Sequence, residues 1–198
     1  MKKSTKIIKW IVCKFMYRVK YHNEENLDKY ESYLICPNHS NIFDPAIVFP
    51  AKYDDDIYIM AKKELFKYPA FRWLAKRYNV FAIDRENVDV KSMLKSLDVF
   101  KQNKKAKLLL FPEGKVLKKK EEEGTVYKKG AAFIATHLNR PIIPVYITRR
   151  PWGFQKVHVI YGEPYFVDDV NCNGKNKLDE ISKDLINKIY LLREEIKK

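Results

Sequence analysis

The sequence predicts a three-layer α/β/α domain with a mixed, largely parallel sheet, preceded by an N-terminal basic amphipathic helix. Short apolar runs alternate along the chain with longer segments of helical periodicity, which is the pattern of layered α/β proteins. The 198 residues suit one domain with an appendage and are enough for a sizeable core. Apolar residues make up 46% of the chain, which excludes a disordered protein.

The first predicted element is the helix over residues 1–22. Seven of these residues are Lys or Arg and none is acidic, while the apolar residues recur at helical spacing. A basic amphipathic helix with aromatic side chains suits the plane of a membrane interface, and the alternative is a helix whose apolar stripe packs on the domain. Its longest uncharged run, "WIVC", is too short to span a bilayer, and no signal-peptide pattern is visible. We therefore expect residues 1–22 to hold the folded domain, residues 23–198, peripherally on the cytoplasmic face of a membrane.

Strands and helices are expected to alternate through the rest of the chain. The predicted strands are 32–36, 57–61, 80–83, 107–111, 142–147 and 156–162. The predicted helices are 45–51, 69–78, 87–103, 129–138 and 176–197. Because a helix lies between most successive strands, crossover connections and a largely parallel sheet are expected.

The charge of the chain favours anionic partners. Lys and Arg number 39 against 25 Asp and Glu, a formal net charge of +14. Nucleic acid, an anionic membrane, a phosphorylated substrate and an acidic carrier protein all fit such a surface, and charge does not choose among them. The three cysteines form no C-x-x-C pair and are interpreted as free thiols in a reducing compartment, with Cys36 as a small buried apolar residue. No metal-ligand spacing is present, so no metal is expected.

Three polar motifs follow predicted strands, where ligands gather in α/β sheets. They are "NHSNIFD" after strand 32–36, "AIDR" after strand 80–83 and "FPEG" after strand 107–111. Each also has an ordinary structural interpretation. Asp44 followed by Pro45 is typical of a helix N-cap, Arg85 suits an exposed position, and residues 112–114 suit a simple turn.

Together the motifs resemble a known family. In order and approximate spacing, four blocks resemble those of the glycerolipid acyltransferases, and are most similar to the 1-acylglycerol-3-phosphate (lysophosphatidic acid) acyltransferases: "NHSNIFD", "NVFAIDR", "FPEG" and "RPIIPV". The resemblance covers about residues 30–162. It implies an O-acyltransferase domain that moves a fatty acyl group from acyl carrier protein or acyl-CoA to the free hydroxyl of 1-acylglycerol 3-phosphate, giving phosphatidic acid in phospholipid biosynthesis. No metal or redox cofactor is implied.

The resemblance assigns catalysis to His39 and Asp44. Transfer from a thioester to an alcohol needs a base for the hydroxyl proton, and histidine suits this task near neutral pH. A carboxylate on the other ring nitrogen fixes the tautomer and stabilises the imidazolium, and Asp44 is close enough in sequence to reach His39. No activated Ser or Cys is needed if the substrate hydroxyl itself attacks. Asn38 is expected to help position the loop.

The resemblance also implies a set of substrate-binding residues. Arg85 would hold the acceptor phosphate through its guanidinium fork. Glu113 would orient the acceptor, and Gly114 would allow a close backbone approach. Pro144 would shape the wall of the acyl site. Lys115 would supply, as a point charge, the positive charge that the family's third block can obtain from an Arg.

Two departures from the family pattern bear on the acceptor. The third block continues with Lys115 and Val116 instead of Thr followed by Arg or Ser, and the second block opens with Asn79 instead of Gly. Asn tolerates the left-handed conformation best after Gly, so that turn is expected to survive.

Three alternatives stay open at this point. Another lysophospholipid or glycerol 3-phosphate is the alternative acceptor, and a family member that binds lipid without catalysis is a second possibility. The isoelectric point near 9.5 raises a third, a non-enzymatic basic nucleic-acid-binding protein. No nucleic-acid-binding motif stands out, because the aromatic residues fall mostly in apolar runs.

Overall fold

The computed structural model describes residues 18–50, 56–77, 79–83, 97–118, 122–148, 156–170 and 176–197. Within these ranges seven strands form one sheet in the order β1-β7-β6-β2-β5-β3-β4. The strands are β1 (Arg18–His22), β2 (Tyr33–Pro37), β3 (Ile57–Lys62), β4 (Val80–Ile83), β5 (Lys107–Leu109), β6 (Ile142–Ile147) and β7 (Lys156–Tyr161). Six of the seven were predicted, with bounds that agree to within two residues.

The five strands β2 to β6 run parallel to one another. Strand β7 is antiparallel to β6, and β1 is parallel to β7. The central strands "YLICP" and "IIPVYI" are buried throughout, as expected for parallel strands covered on both faces. The predicted mixed, largely parallel sheet is therefore confirmed.

Four labelled helices accompany the sheet: α1 (Asp44–Ile47), α2 (Pro69–Arg77), α3 (Gly130–Leu138) and α4 (Lys177–Leu191). Residues 97–102 are also helical, and the earlier part of the helix predicted over 87–103 lies outside the described residues. Short 3-10 helices cover Glu24–Leu27, Lys63–Lys67, Val167–Asp169 and Leu192–Lys197. The helix predicted over 176–197 thus tightens into 3-10 geometry after Leu191.

Alternate residues of the central strands face two separate cores, which makes the domain three-layered. Leu34 and Cys36 of β2 join a cluster under α3 and α4. Tyr33 and Ile35 join a cluster on the other face, which α1 and the segment after it cover through residues such as Phe49. Helix α4 packs through a buried stripe at helical spacing, Ile181, Leu185, Ile186 and Ile189. Cys36 is fully buried, as expected, and burial raises the pKa of its thiol.

The N-terminal prediction is wrong for its last five residues. Residues 18–22 form strand β1, so the domain begins no later than residue 18 instead of residue 23. Val19 and Tyr21 pack into the sheet core while Arg18 and Lys20 are exposed, an alternation of period two. Val19 fits both this alternation and a helical stripe, and β7 supplies the backbone partners that only the folded protein brings near. Residues 1–17 of the predicted helix lie outside the described residues.

One edge of the sheet collects the carboxyl ends of β2 to β6, and we call it the carboxyl edge. Because β7 and β1 run in the opposite sense, their first residues, Lys156 and Arg18, lie at this same edge. Asn79, just before β4, has φ of 48°, so the left-handed turn does survive the replacement of Gly. In the part of the chain that the structure describes, no helix combines the length and apolarity needed to cross a membrane.

Candidate active site

Asn38 ties the ends of β2 and β6 together at the carboxyl edge. Its amide Nδ2 donates to the backbone carbonyl of Ile147 over 3.0 Å, and its Oδ1 accepts from the backbone N–H of Ile147 over 2.7 Å. The side chain is buried and acts as one more rung of the ladder between the two strands. This rung defines the point at which the chain leaves the sheet and His39 begins the next loop.

His39 and Asp44 lie in hydrogen-bond contact. His39 Nδ1 is 3.0 Å from Asp44 Oδ2, and Asp44 is 0% exposed. The same oxygen accepts the backbone N–H groups of Ser40 over 2.8 Å and Asn41 over 2.7 Å. A carboxylate accepts but does not donate, so Nδ1 of the neutral imidazole carries the proton and Nε2 holds the lone pair.

The N-cap interpretation of Asp44 is wrong. Phe43 is the N-cap of α1 and Asp44 is the first helical residue. The carboxylate accepts N–H groups from the loop before the helix, those of Ser40 and Asn41. Pro45 follows at a position in the first turn where no N–H is required. Asp44 therefore holds the loop and the imidazole in one arrangement.

The imidazole of His39 lies flat on the ring of Phe111. The two ring centroids are 3.9 Å apart with 23° between the planes. The backbone carbonyl of His39 also accepts the N–H of Leu117 over 2.8 Å. Stacking and backbone contacts fix the plane of the imidazole, and 9% of the residue remains exposed for contact with a substrate.

Glu113, which follows β5, is wholly buried beside this loop. Its Oε2 accepts the backbone N–H of His39 over 2.7 Å, and its Oε1 accepts the hydroxyl of Tyr190 over 2.6 Å. Burial raises the pKa of Glu113 to about 7, with a smaller upward contribution from the charges of Asp44 and Glu123, while the two hydrogen bonds lower it. Both oxygens of Glu113 thus accept hydrogen bonds from within the protein, and one of these bonds holds the backbone of the His39 loop.

Gly114 closes the turn that presents Glu113. Its φ is +70°, and a Cβ there would lie only 2.8 Å from Cγ of Lys128. Its N–H bonds to the carbonyl of Phe111 over 3.1 Å. The close backbone approach that the sequence predicted at Gly114 is thus made against Lys128 within the protein.

Two of the remaining predicted residues, Lys115 and Pro144, contact groups other than His39. Lys115 is exposed and its ammonium is 2.7 Å from the carboxylate of Glu122. Pro144 is buried in mid-β6, paired in register with Cys36, and packs so closely on Gly162 that a Cβ at Gly162 would lie 2.8 Å from its Cγ. Arg85 lies outside the described residues, two positions after β4 ends at the carboxyl edge.

Sequence reasoning missed two residues of this site. Phe111 precedes the "PEG" motif directly, so an aromatic residue at a strand end was a local signal. Tyr190 is 77 residues from Glu113, and no local spacing links them. Among the described residues, no three or more His, Cys, Asp or Glu side chains are grouped to hold a metal ion.

Comparison with known proteins identifies a family and relatives of this chain. A model of the family described as Acyltransferase matches residues 18–148, which include β1, His39, Asp44 and Glu113. A 1-acyl-sn-glycerol-3-phosphate acyltransferase of Bacillus subtilis (strain 168) is 27% identical over 184 residues, covering 90% of this chain and 89% of the relative. An enzyme of the same name from Streptococcus pneumoniae (strain ATCC BAA-255 / R6) is 26% identical over 183 residues, covering 89% of this chain and 67% of the relative.

The fold is also similar to that of a solved structure. The crystal structure of the 1-acyl-sn-glycerophosphate (LPA) acyltransferase PlsC from Thermotoga maritima matches with a TM-score of 0.67 at 20% identity, covering 96% of this chain and 79% of that one. The family match includes the His39–Asp44 pair and the Glu113 turn, each built in three dimensions at the carboxyl edge. On its sequence and its site, the chain belongs to the acyltransferase family.

Proposed function

We propose that this protein transfers a fatty acyl group from acyl-CoA or acyl carrier protein to the free hydroxyl of 1-acylglycerol 3-phosphate, producing phosphatidic acid. The observation that carries the proposal is the contact of His39 Nδ1 with Asp44 Oδ2 at 3.0 Å, which leaves Nε2 as the basic nitrogen. The identity of the acceptor is inferred from the two bacterial relatives, which are both named 1-acyl-sn-glycerol-3-phosphate acyltransferase.

The reaction needs no covalent intermediate on the protein. His39 Nε2 removes the proton of the acceptor hydroxyl while its oxygen attacks the thioester carbonyl carbon. The tetrahedral intermediate collapses, the carbon–sulfur bond breaks, and the imidazolium returns the proton to the leaving thiolate. The products are an ester and a free thiol, and His39 is neutral again.

Asp44 stabilises the charged state of this cycle. The imidazolium that forms during attack gains a charge-assisted hydrogen bond to a carboxylate that is wholly buried. Because Ser40 and Asn41 already donate to that oxygen, its position is fixed before the substrate arrives. Pre-organised electrostatics of this kind lower the barrier without a reorganisation cost.

We expect a cationic side chain to recognise the phosphate of the acceptor. Arg85 is proposed to bind the phosphate monoester with its planar fork. Lys115 is engaged by Glu122 on the surface, so it is a weaker candidate for this role. That pairing is the reason for keeping a second candidate function, acyl transfer to another lysophospholipid or to glycerol 3-phosphate.

The carboxyl edge is proposed to face an anionic membrane. Three apolar side chains are exposed on segments at this edge: Ile42 at 71%, Tyr68 at 64% and Val116 at 37%. Arg18 and Lys156 are exposed there too, and the basic residues 1–17 are joined to Arg18. Apolar contact combined with cationic charge favours an anionic lipid surface, which would bring the lysophospholipid to His39.

An acyl-transfer assay with a panel of lysophospholipids, glycerol 3-phosphate and both donor types tests the proposal. We expect the highest kcat/KM with 1-acylglycerol 3-phosphate. His39→Ala should lower turnover by about 10²–10⁴ while the fold is retained. A wild-type protein inactive with every acceptor, or a His39→Ala variant with near-normal turnover, would refute the proposed function. A preference for an acceptor without a phosphate monoester would reject the lysophosphatidate assignment alone.

A further inference from the structure

The last turn of helix α4 reaches into the active site. Tyr190 lies there and donates its hydroxyl to Glu113 Oε1 over 2.6 Å. Its ring meets the ring of Tyr146 on β6 edge to face, with centroids 5.8 Å apart. A Cβ at Gly124 would lie 3.7 Å from this ring, in ordinary contact. Helix, sheet and loop thus hold the tyrosine against the carboxylate, although Tyr190 lies outside residues 18–148, which match the family.

The contacts form a continuous chain from Tyr190 to the catalytic loop. The hydroxyl of Tyr190 binds one oxygen of Glu113, and the other oxygen binds the backbone N–H of His39 over 2.7 Å. Glu113 is wholly buried, so its charge depends on these donors. A carboxylate with one donor removed would be free to turn or to take up a proton, and either change acts on His39.

We propose that Tyr190 is a positioning residue for acyl transfer: its hydroxyl holds the Glu113 carboxylate against the backbone N–H of His39 and so keeps the imidazole in place. The inference rests on the proposed function. It gives the C-terminal helix a part in the reaction, beyond the two-residue pair of His39 and Asp44.

The electrostatics around Glu113 make this role measurable. The charged or titratable groups facing Glu113 are Tyr190 on α4, Glu123 in the following loop and Asp44 at the start of α1. Both carboxylates raise the pKa of Glu113, and Arg193, one turn beyond Tyr190, lies 3.3 Å from Glu123. The Tyr190 hydrogen bond lowers the pKa of Glu113, so its removal should raise that pKa above about 7.

Burial and the neighbouring Glu113 charge raise the pKa of Tyr190 itself, so its hydroxyl stays protonated and remains a donor across the working pH range. The ring contacts with Tyr146 and Gly124 do not involve the hydroxyl. Tyr190→Phe therefore removes the hydrogen bond and leaves the packing. Because the variant loses a hydrogen-bond donor to the charged form of Glu113, the pKa of Glu113 should rise.

The test is the pH profile of kcat for Tyr190→Phe. Loss of a hydrogen bond to a charged group should move the acid limb to higher pH by about one unit, lowering turnover at pH 7 about fivefold and restoring it near pH 9. The matched control is Tyr127→Phe. This variant removes the hydrogen bond that the Tyr127 hydroxyl donates over 3.3 Å to Asp179, which lies on another part of α4. Its profile should match the wild type. The difference between the variant profile and the wild-type profile is the diagnostic quantity.

A Tyr190→Phe profile that is unchanged, or lowered equally at every pH, would overturn the inference. A second measurement does not depend on enzyme activity. Because Tyr190→Phe should raise the pKa of Glu113 in the folded state, the fall in unfolding free energy with rising pH should extend to higher pH in this variant. In the Glu113→Gln background, Tyr190→Phe should produce no further shift in either profile, and a persisting shift would also contradict the inference. A wild-type protein that transfers no acyl group refutes the proposed function instead, so the two failures are distinguishable.

Discussion

Replacing Asp44 separates its observed role, orienting the loop, from its proposed role, stabilising the imidazolium. One oxygen, Oδ2, accepts three donors: His39 Nδ1 at 3.0 Å, the N–H of Ser40 at 2.8 Å and the N–H of Asn41 at 2.7 Å. In Asp44→Asn the amide oxygen is expected to take this place, because the amide nitrogen would face two backbone donors there. The loop and the tautomer are then retained, and only the charge is lost.

The expected magnitude follows from that arrangement. Hydrogen bonds to charged groups contribute about 1.5–3 kcal/mol against about 0.5–1.5 kcal/mol for neutral ones. The loss for the imidazolium is therefore about 1–2 kcal/mol, or roughly a 5- to 30-fold fall in kcat. Asp44→Ala instead leaves three donors unpaired. At about 1 kcal/mol each, the lower end for partly buried groups, the variant should lose about 3 kcal/mol of unfolding free energy.

The assay is steady-state turnover with urea unfolding for both variants. Asp98→Asn is the matched control, since this carboxylate is exposed and pairs only loosely with Lys101 at 3.6 Å. The control should change neither quantity measurably. An Asp44→Asn variant as inactive as His39→Ala would show that the amide has flipped and that the orientation argument is wrong. Near-normal turnover would show that the charge of Asp44 is not used.

Three further predictions concern Glu113, Arg85 and the N-terminal segment. The folded state holds a proton on Glu113 that the unfolded state loses, because its pKa is about 7 instead of 4.5, so stability should fall by up to roughly 3 kcal/mol as pH rises through this window. Urea unfolding at pH 4.5 to 8 measures the slope, and Glu113→Gln should flatten it; an unchanged slope would contradict the assignment. Arg85→Lys should raise the acceptor KM about tenfold and leave the donor KM unchanged, because the fork is lost; a silent variant would exclude Arg85 from phosphate binding. Deletion of residues 1–17 should release the protein from anionic vesicles in co-sedimentation at low salt, while a deletion to residue 22 should also destabilise the fold because β1 is lost. Unchanged vesicle binding after the shorter deletion would mean that the segment is not the anchor.

Local patterns carried most of the fold. The buried runs "YLICP" and "IIPVYI" are apolar without alternation, and this identifies central parallel strands from sequence. The edge strand β1 was missed because "RVKYH" is short, half exposed and continuous with a helical pattern. An edge strand gains its backbone partners only from β7, more than 130 residues away, so its formation is a tertiary effect.

The sequence by itself determined the acyltransferase family and the contact between His39 and Asp44. His39 and Asp44 are five residues apart, and a single loop is enough to bring them together, so the contact is encoded locally. The third block likewise predicted a turn at Glu113 and Gly114 after a strand. What only the tertiary structure decided is how these parts are held and used.

Glu113 contacts the backbone of His39 across 74 residues, and Tyr190 contacts Glu113 across 77. Such contacts depend on which strands are neighbours and on which turn of α4 faces the carboxyl edge. The pKa of Glu113 depends in turn on its burial, which no local pattern specifies. Contacts between residues close in sequence can be predicted from their spacing. Burial and long-range hydrogen bonds depend on the order of the strands in the sheet, because both arise from groups that only folding brings together.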